Sequence, residues 1–231
     1  MKSFVFVFIL LSSSVVFAKG KGGDSIGGFF GSAGSTQDDL NTVIGAANSR
    51  SAITTGRLTS GYEVAFQITF RISSLALQFR PSYFWASATG SGAVGNHNYS
   101  LTGFTFFPIL KWYMLEDKSI KFFTQFGMGY GSASGKIEEG TASVSFSGSN
   151  LGFLAGLGAE FCFSKGKHCV LLEGNYRYLP FVRNLVDSTS GTFLSGSVDA
   201  PTVGQELEYN SVDLSTTFSG ILANVGYAYS F

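Results

Sequence analysis

Apolar and polar residues alternate strictly along much of the chain. In one clear example the apolar positions are Tyr62, Val64, Phe66, Ile68, Phe70 and Ile72, and the residues between them are small, polar or charged. Successive side chains of a β-strand point to opposite faces, so this segment has one apolar face and one polar face. A half-buried strand of a soluble protein shows the same pattern, so one segment alone does not decide the fold class.

Repetition and length favour strands that cross a membrane. Similar alternation recurs in residues 77–86, 120–131, 151–163, 172–178 and 221–231. Residues 26–35 and 99–114 are more ambiguous, and in the second we place Lys111 on the polar face and Trp112 on the apolar one. Membrane strands need about 9–11 residues, whereas ordinary strands average about 5–6. We therefore predict an all-β, antiparallel up-and-down transmembrane barrel, most simply of eight strands.

The connections between these segments alternate in length. Short connections fall at residues 73–75, 115–118 and 164–168, and long ones at 36–58, 87–98, 134–147 and 182–212. Bacterial barrels have short periplasmic turns and longer extracellular loops, so the strand number is even and both chain ends face the periplasm. The last long connection has room for another hairpin, which would make ten strands.

Charged residues of the alternating segments fall on the polar face, which a barrel turns towards its lumen. The predicted lumen charges are Glu63, Arg71, Arg80, Lys111, Lys121, Glu160, Glu173 and Arg177. A basic residue facing lipid at the bilayer midplane costs about 2–4 kcal/mol, which explains the partition. Because an eight-stranded barrel is filled by its own side chains, these charges predict an ion-paired plug. The alternative is a narrow path for ions or small hydrophobic solutes.

The first residues have the pattern of a secretory signal peptide. Lys2 precedes an apolar run, and Val16 and Ala18 stand at small-residue positions before Lys19. This pattern predicts cleavage after residue 18, which leaves residues 19–231 as one exported domain.

Composition changes the picture in two ways. Aromatic residues make up 16% and charged residues 13% of the chain, whereas soluble proteins average about 25% charged residues. The formal net charge is zero, so no basic field indicates nucleic-acid binding.

Alternating glycines such as Gly127, Gly129 and Gly131 lack the strand-to-helix context of a dinucleotide site. We predict no cofactor, no metal site and no enzymatic activity, and we interpret His97 as a solvated loop residue.

The first and the last of the long extracellular connections differ in character. In the first, Asp38 and Asp39 favour a helix N-terminus, and an apolar stripe follows at Leu40, Val43, Ile44 and Ala47. We predict a short amphipathic helix at the barrel mouth, packed over it or, alternatively, binding a partner. The last connection is mildly acidic and rich in Ser, Thr and Gly, and we predict no single role for it.

Cys162 and Cys169 are the two cysteines of the chain, and they flank the turn at residues 163–168. Both fall on the lumen side, and in an antiparallel hairpin they face each other at bridging distance. In an oxidising compartment this predicts a disulfide. Free thiols remain the alternative, and a metal site that also uses His168 lacks a fourth ligand.

The final segment resembles the C-terminal signature of bacterial outer-membrane proteins. Ile221, Ala223, Val225, Tyr227, Tyr229 and Phe231 share one face. The resemblance implies that Tyr227, Tyr229 and Phe231 are read by the barrel assembly machinery. Together with the signal peptide and the lumen charges, the chain resembles the small outer-membrane barrels of the OmpX, OmpA and OmpW type.

This resemblance implies the outer membrane of a Gram-negative bacterium, with contacts to membrane lipid and lipopolysaccharide. Such barrels include structural, adhesive, transporting and enzymatic members, so the fold does not fix the function. The expected role is non-enzymatic, in envelope structure or in surface interaction through the long loops with an extracellular ligand. The alternative role is a narrow channel.

Overall fold

The computed structural model describes residues 23–51, 53–92, 95–194 and 197–231. The predicted signal peptide, residues 1–18, lies outside the described residues. In chain order the elements are β1 Ser25–Gly34, α1 Asp38–Ser51, β2 Ser60–Ile72, β3 Leu75–Gly92, β4 Gly95–Glu116, β5 Ile120–Glu139, β6 Ala142–Phe163, β7 His168–Tyr178, β8 Pro180–Phe181, β9 Leu185–Ser190, β10 Glu208–Tyr209, β11 Val212–Asp213, β12 Thr216–Thr217 and β13 Gly220–Ser230.

Eight long strands of the described chain form a closed antiparallel ring. The hydrogen-bonded order is β5, β4, β3, β2, β1, β13, β7 and β6, and β6 pairs with β5 to close the ring. Closure leaves no free sheet edge along the paired length, which is what a sheet surrounded by lipid requires. The predicted up-and-down barrel of eight strands, with a helix after its first strand, is confirmed. The segment 182–212 adds short strands but no further member of the ring.

An apolar belt surrounds the barrel. It consists of the outward-facing residues in segments 26–30, 62–72, 75–85, 104–114, 120–130, 151–163, 170–178 and 221–231. Phe66, Leu157 and Val225, for example, are 48%, 66% and 51% exposed. Within the described strands, no Asp, Glu, Lys or Arg occupies an outward position of this belt. Strand segments of about 9–11 residues match the apolar thickness of a bilayer when they are tilted.

Strands β3 to β6 continue beyond the belt, and there the alternation inverts. Outward positions become polar, as at Thr89 and Ser134, whereas inward positions such as Leu101 and Val144 are apolar and fully buried. The prediction of long loops at 87–98 and 134–147 was therefore wrong, because these residues extend two hairpins. The inverted alternation keeps the period of a strand but moves the apolar face into the barrel, where it forms a core.

Helix α1 lies at this distal end of the barrel. Its stripe of Leu40, Val43, Ile44 and Ala47 is buried at 1% exposure or less and packs into the main apolar core. This placement agrees with a helix packed over the mouth, and the partner-binding alternative loses its apolar face. Within the described residues, no helix is both long and apolar enough to cross a membrane.

The chain between β7 and β13 covers the same end. Strand β9 pairs with the distal part of β6, β8 pairs with β12, and β10 pairs with β11. Asp39 of α1 accepts hydrogen bonds from the backbone N and the Oγ of Ser215, at 2.8 and 2.6 Å. The helix and the last long connection therefore form one cap.

Candidate functional site: the barrel lumen

The lumen inside the apolar belt contains a network of buried charges. The structure places Glu63, Arg71, Arg80, Lys111, Glu160, Glu173 and Arg177 among the buried residues, and the Lys121 side chain is 13% exposed. Each of these eight residues belongs to at least one ion pair. A buried charge without a partner is costly, so pairing is the condition under which this interior folds.

Glu173 is the centre of the largest group. Its carboxylate lies 2.6 Å from Arg80 Nη2 and 3.2 Å from Lys111 Nζ, and it accepts hydrogen bonds from Gln125 Nε2 and Asn175 Nδ2 at 3.1 and 3.3 Å. These partners come from four different strands, β3, β4, β5 and β7 itself. The group therefore ties the walls of the barrel together across the lumen.

A second ion pair lies next to the apolar core. Arg177, which is fully buried, donates to Glu63 Oε2 at 2.6 Å and to the Phe218 carbonyl at 2.8 Å. The Phe218 ring packs against the tilted Phe84 ring and edge-to-face against Phe181, with ring centroids 4.4 and 4.9 Å apart. This pair forms the boundary between the polar and the apolar halves of the interior.

A third group lies at the end with the short turns. Tyr113 donates to Glu160 at 2.7 Å, and Lys121 Nζ lies 3.6 Å from the same carboxylate. Arg71 pairs with Glu116 at 2.5 Å and lies 4.0 Å from the centroid of the Tyr113 ring. Sequence reasoning missed Tyr113 and Glu116, because the register shifts between Tyr113 and Leu115 and breaks the alternation there.

Several buried lumen residues have polar atoms without a hydrogen-bond partner in the described part of the protein. On uncharged side chains these atoms are Gln67 Oε1, Thr69 Oγ1, Gln125 Oε1 and both polar atoms of Gln78. Thr69 and Gln78 face each other across the β2–β3 pair. The interior inside the belt is therefore polar beyond its ion pairs.

The glycines of the lumen face make room for larger neighbours. A Cβ added at Gly129 would lie 2.6 Å from Phe107, and one added at Gly158 would lie 2.5 Å from Phe123. These contacts explain the alternating glycines of β5 and β6 as packing features.

A separate polar cluster lies near the distal tip of the barrel. His97 is 3% exposed on β4 and faces Glu139 on β5, and Glu139 accepts hydrogen bonds from Tyr99 Oη at 2.8 Å and Arg50 Nη2 at 2.6 Å. The interpretation of His97 as a solvated loop residue was wrong, because β4 extends through it. Burial lowers the pKa of His97, and burial together with Glu139 raises the pKa of Tyr99.

Cys162 and Cys169 are directly opposed on β6 and β7 and form a disulfide. The Glu160 carboxylate lies close to both sulfur atoms, and among the described residues this is the one group with metal-ligand composition. Because both sulfur atoms are bonded to each other, neither is a thiolate that could bind a metal ion.

Tyr227, Tyr229 and Phe231 lie on the outer surface of the final strand segment. Their exposed fractions are large, and the Phe163 and Tyr229 rings both contact the His168 ring. Tyr62 and Trp85 contact each other at the opposite border of the belt. The belt is therefore bordered by aromatic side chains at both ends, as in transmembrane barrels.

The chain was compared with protein families, curated sequences and solved structures. No protein-family model and no curated protein sequence matches it. Among solved structures, it is similar to Ail, the attachment invasion locus protein of Yersinia pestis, in complex with the heparin analogue sucrose octasulfate. That similarity has 13% identity and a TM-score of 0.40, over 91% of this chain and 99% of the other. An outer membrane channel from Pseudomonas putida F1 shows 10% identity and a TM-score of 0.29, over 95% and 99% of the two chains. The barrel assignment therefore rests on the strand pairing of this chain itself.

Proposed function

We propose that this chain is a non-enzymatic outer-membrane β-barrel protein of a Gram-negative bacterium, with a filled lumen, that serves envelope structure or surface interaction. The observation that carries this proposal is the reversal of polarity along the barrel. Side chains facing outward are apolar inside the belt and polar beyond it, whereas those facing inward change in the opposite sense. A bilayer around the belt explains the apolar outward side chains there, and water around the rest of the barrel explains the polar outward side chains beyond the belt.

The interior of the barrel supports the filled lumen. The ion pairs of Glu173 and Arg177 bridge the polar half, and aromatic side chains such as Phe84, Phe107 and Phe218 are buried at 1% exposure or less in the apolar half. An eight-stranded barrel is just wide enough for its own side chains to fill. An ion crossing this interior would have to displace both the ion pairs and the apolar core.

The distal hairpins and their cap support a role in surface interaction. Strands β3 to β6 carry polar outward faces beyond the belt, including Lys136 and Glu138, and the cap adds Asp187, Asp199 and Glu208. Hydrogen-bonded hairpins that extend out of a membrane present their side chains to lipopolysaccharide and to extracellular ligands. In this proposal the signal peptide, residues 1–18, directs export, and the outward Tyr227, Tyr229 and Phe231 are read by the assembly machinery.

One observation favours a narrow channel as the second candidate. The unpartnered polar atoms of Gln67, Thr69 and Gln78 lie in the lumen, and buried polar groups of this kind normally bind water. A hydrated path would then run through the polar half of the lumen. The apolar core beyond Arg177 opposes its continuation to the distal end.

Planar-bilayer conductance of the refolded protein separates the two functions. We expect no discrete openings from the wild type across a wide voltage range, and a folded barrel is verified by its shift in gel mobility between unheated and boiled samples. Reproducible openings would favour the channel. Recovery of the expressed protein as a soluble periplasmic species would overturn the membrane location for both functions.

A further inference from the structure

The turn between β6 and β7 carries basic side chains at one end of the apolar belt. Lys165 and Lys167 are exposed in this turn, and Lys118 is exposed in the neighbouring β4–β5 turn. The backbone N of Cys162 donates to the Ser119 carbonyl at 2.7 Å, which joins the two turns. Among the described residues, none of the three amines takes part in an ion pair.

The conformation of the β6–β7 turn is fixed. The disulfide between Cys162 and Cys169 closes its base, and Gly166, with a φ of 86°, donates to the Phe163 carbonyl at 3.1 Å. The Lys167 carbonyl accepts a hydrogen bond from Ser230 N at 2.8 Å, which ties the turn to the end of β13. A surface held in this way loses little conformational entropy when it binds a ligand.

Aromatic side chains set the level of this turn relative to a bilayer. The His168 ring lies 5.6 Å from Phe163 and 5.3 Å from Tyr229, and its Nδ1 hydrogen-bonds to the Tyr227 hydroxyl. Amphipathic rings of this kind lie at the headgroup level of a membrane. The lysines that immediately adjoin them are therefore positioned at the phosphates.

Among the described residues, no acidic group at this end of the barrel lies within ion-pair distance of Lys165 or Lys167. Asp24 accepts a hydrogen bond from the backbone N of Arg71 at 3.1 Å, and Glu116 pairs with the Arg71 guanidinium. Asp117 is the acidic residue next to Lys118 in the sequence, whereas Lys165 and Lys167 have no acidic residue beside them in their own turn. The charge of this surface is complementary to an anionic headgroup.

We propose that Lys118, Lys165 and Lys167 form a basic turn surface that binds the phosphates of anionic phospholipids in the periplasmic leaflet. This inference rests on the proposed membrane location, which places the short turns at that leaflet. Electrostatic attraction to an anionic membrane surface strengthens binding by about fivefold for each lysine. The basic turn surface selects acidic phospholipids from the neutral ones around the barrel.

The test measures lipid selectivity around the reconstituted barrel. Full-length protein is inserted into phosphatidylcholine bilayers that contain a small amount of spin-labelled phosphatidylglycerol or spin-labelled phosphatidylcholine. The fraction of immobilised label reports association. We expect the wild type to favour phosphatidylglycerol several-fold, and the double variant Lys165→Gln/Lys167→Gln to lose most of this preference. Added salt should weaken the preference, because it screens exposed charges.

The matched control is Lys136→Gln, which removes an exposed lysine at the opposite end of the barrel. This variant should keep the wild-type preference, and the gel-mobility shift verifies the folding of each variant. Insertion without any preference for phosphatidylglycerol would overturn the inference and leave the proposed function intact. Failure of the wild type to insert would overturn both. Lysine-dependent sedimentation with peptidoglycan, without lipid selectivity, would assign the surface to the cell wall instead.

Discussion

Arg80 and Glu173 lie on opposite sides of the barrel and form an ion pair through its centre. The Arg80 Nη2 and Glu173 Oε2 atoms are 2.6 Å apart, and β3 and β7 are separated by three strands in either direction around the ring. Arg80 also lies 4.5 Å from the centroid of the Phe29 ring on β1. A contact between opposite walls restrains the cross-section of the whole barrel.

Glu173→Gln should destabilise the barrel strongly. The substitution leaves Arg80 and Lys111 buried without a carboxylate, and removing one partner of a buried pair costs about 3–5 kcal/mol. The midpoint of urea-induced unfolding in bilayers measures the change. Glu206→Gln, which breaks an exposed pair with Arg183, should leave the midpoint nearly unchanged. Equal midpoints for both variants would contradict a supporting role of the Glu173 group.

Phe66→Arg and Leu157→Arg should each reduce membrane insertion. Both residues face outward from the apolar belt, where a basic side chain costs about 2–4 kcal/mol at mid-bilayer depth. Ser134→Arg is the matched control, because Ser134 also faces outward but lies beyond the belt. The folded fraction after refolding into vesicles is read from gel mobility. If all three variants insert equally well, the limits assigned to the belt are wrong.

Reduction of the disulfide should lower stability by about 2 kcal/mol, because the bond closes only a short loop in the unfolded chain. The unfolding midpoint of the wild type with and without reductant measures the effect, and Cys162→Ser/Cys169→Ser should match the reduced wild type. Protein purified under alkylating conditions without reductant should show no reactive thiols when it is denatured. Two reactive thiols per chain would reject the bridge.

The barrel should lose stability as the pH falls below about 6.5, the ordinary pKa of histidine. Burial lowers the pKa of His97 in the folded state, so between its folded and unfolded pKa values the unfolded chain binds more protons. A protonated His97 would also be repelled by the positive charge of Arg50, which links α1 to Glu139 through an ion pair. Unfolding midpoints at pH 7.5 and 5.5 test this expectation. The loss should be smaller in His97→Gln, and the same loss in both proteins would exclude His97 as its source.

The sequence by itself determined the strands of the belt and the direction of their side chains. In segments such as residues 62–72, alternation with a period of two residues gives the strand one apolar and one polar face, and only the apolar face can contact lipid. Strand number followed from counting these segments, because a closed barrel has to include them all. The apolar stripe from Leu40 to Ala47 also predicted helix α1, because its spacing depends on one element alone. The facing positions of Cys162 and Cys169 followed from a single hairpin.

Tertiary structure alone decided which residues meet across the lumen. The partners of Glu173 depend on the stagger between strands that are distant in sequence, and alternation carries no information about stagger. The sequence did not predict the distal hairpins, for a related reason. The alternation around Leu101 and Val144 has the same period as in the belt but the opposite sense, and only the closed ring shows that their apolar faces meet α1 in a core. His97 was assigned to a loop for the same reason. Beyond the bilayer the inward face of β4 is the apolar, buried one, so the sequence pattern of the membrane segment no longer identifies the strand.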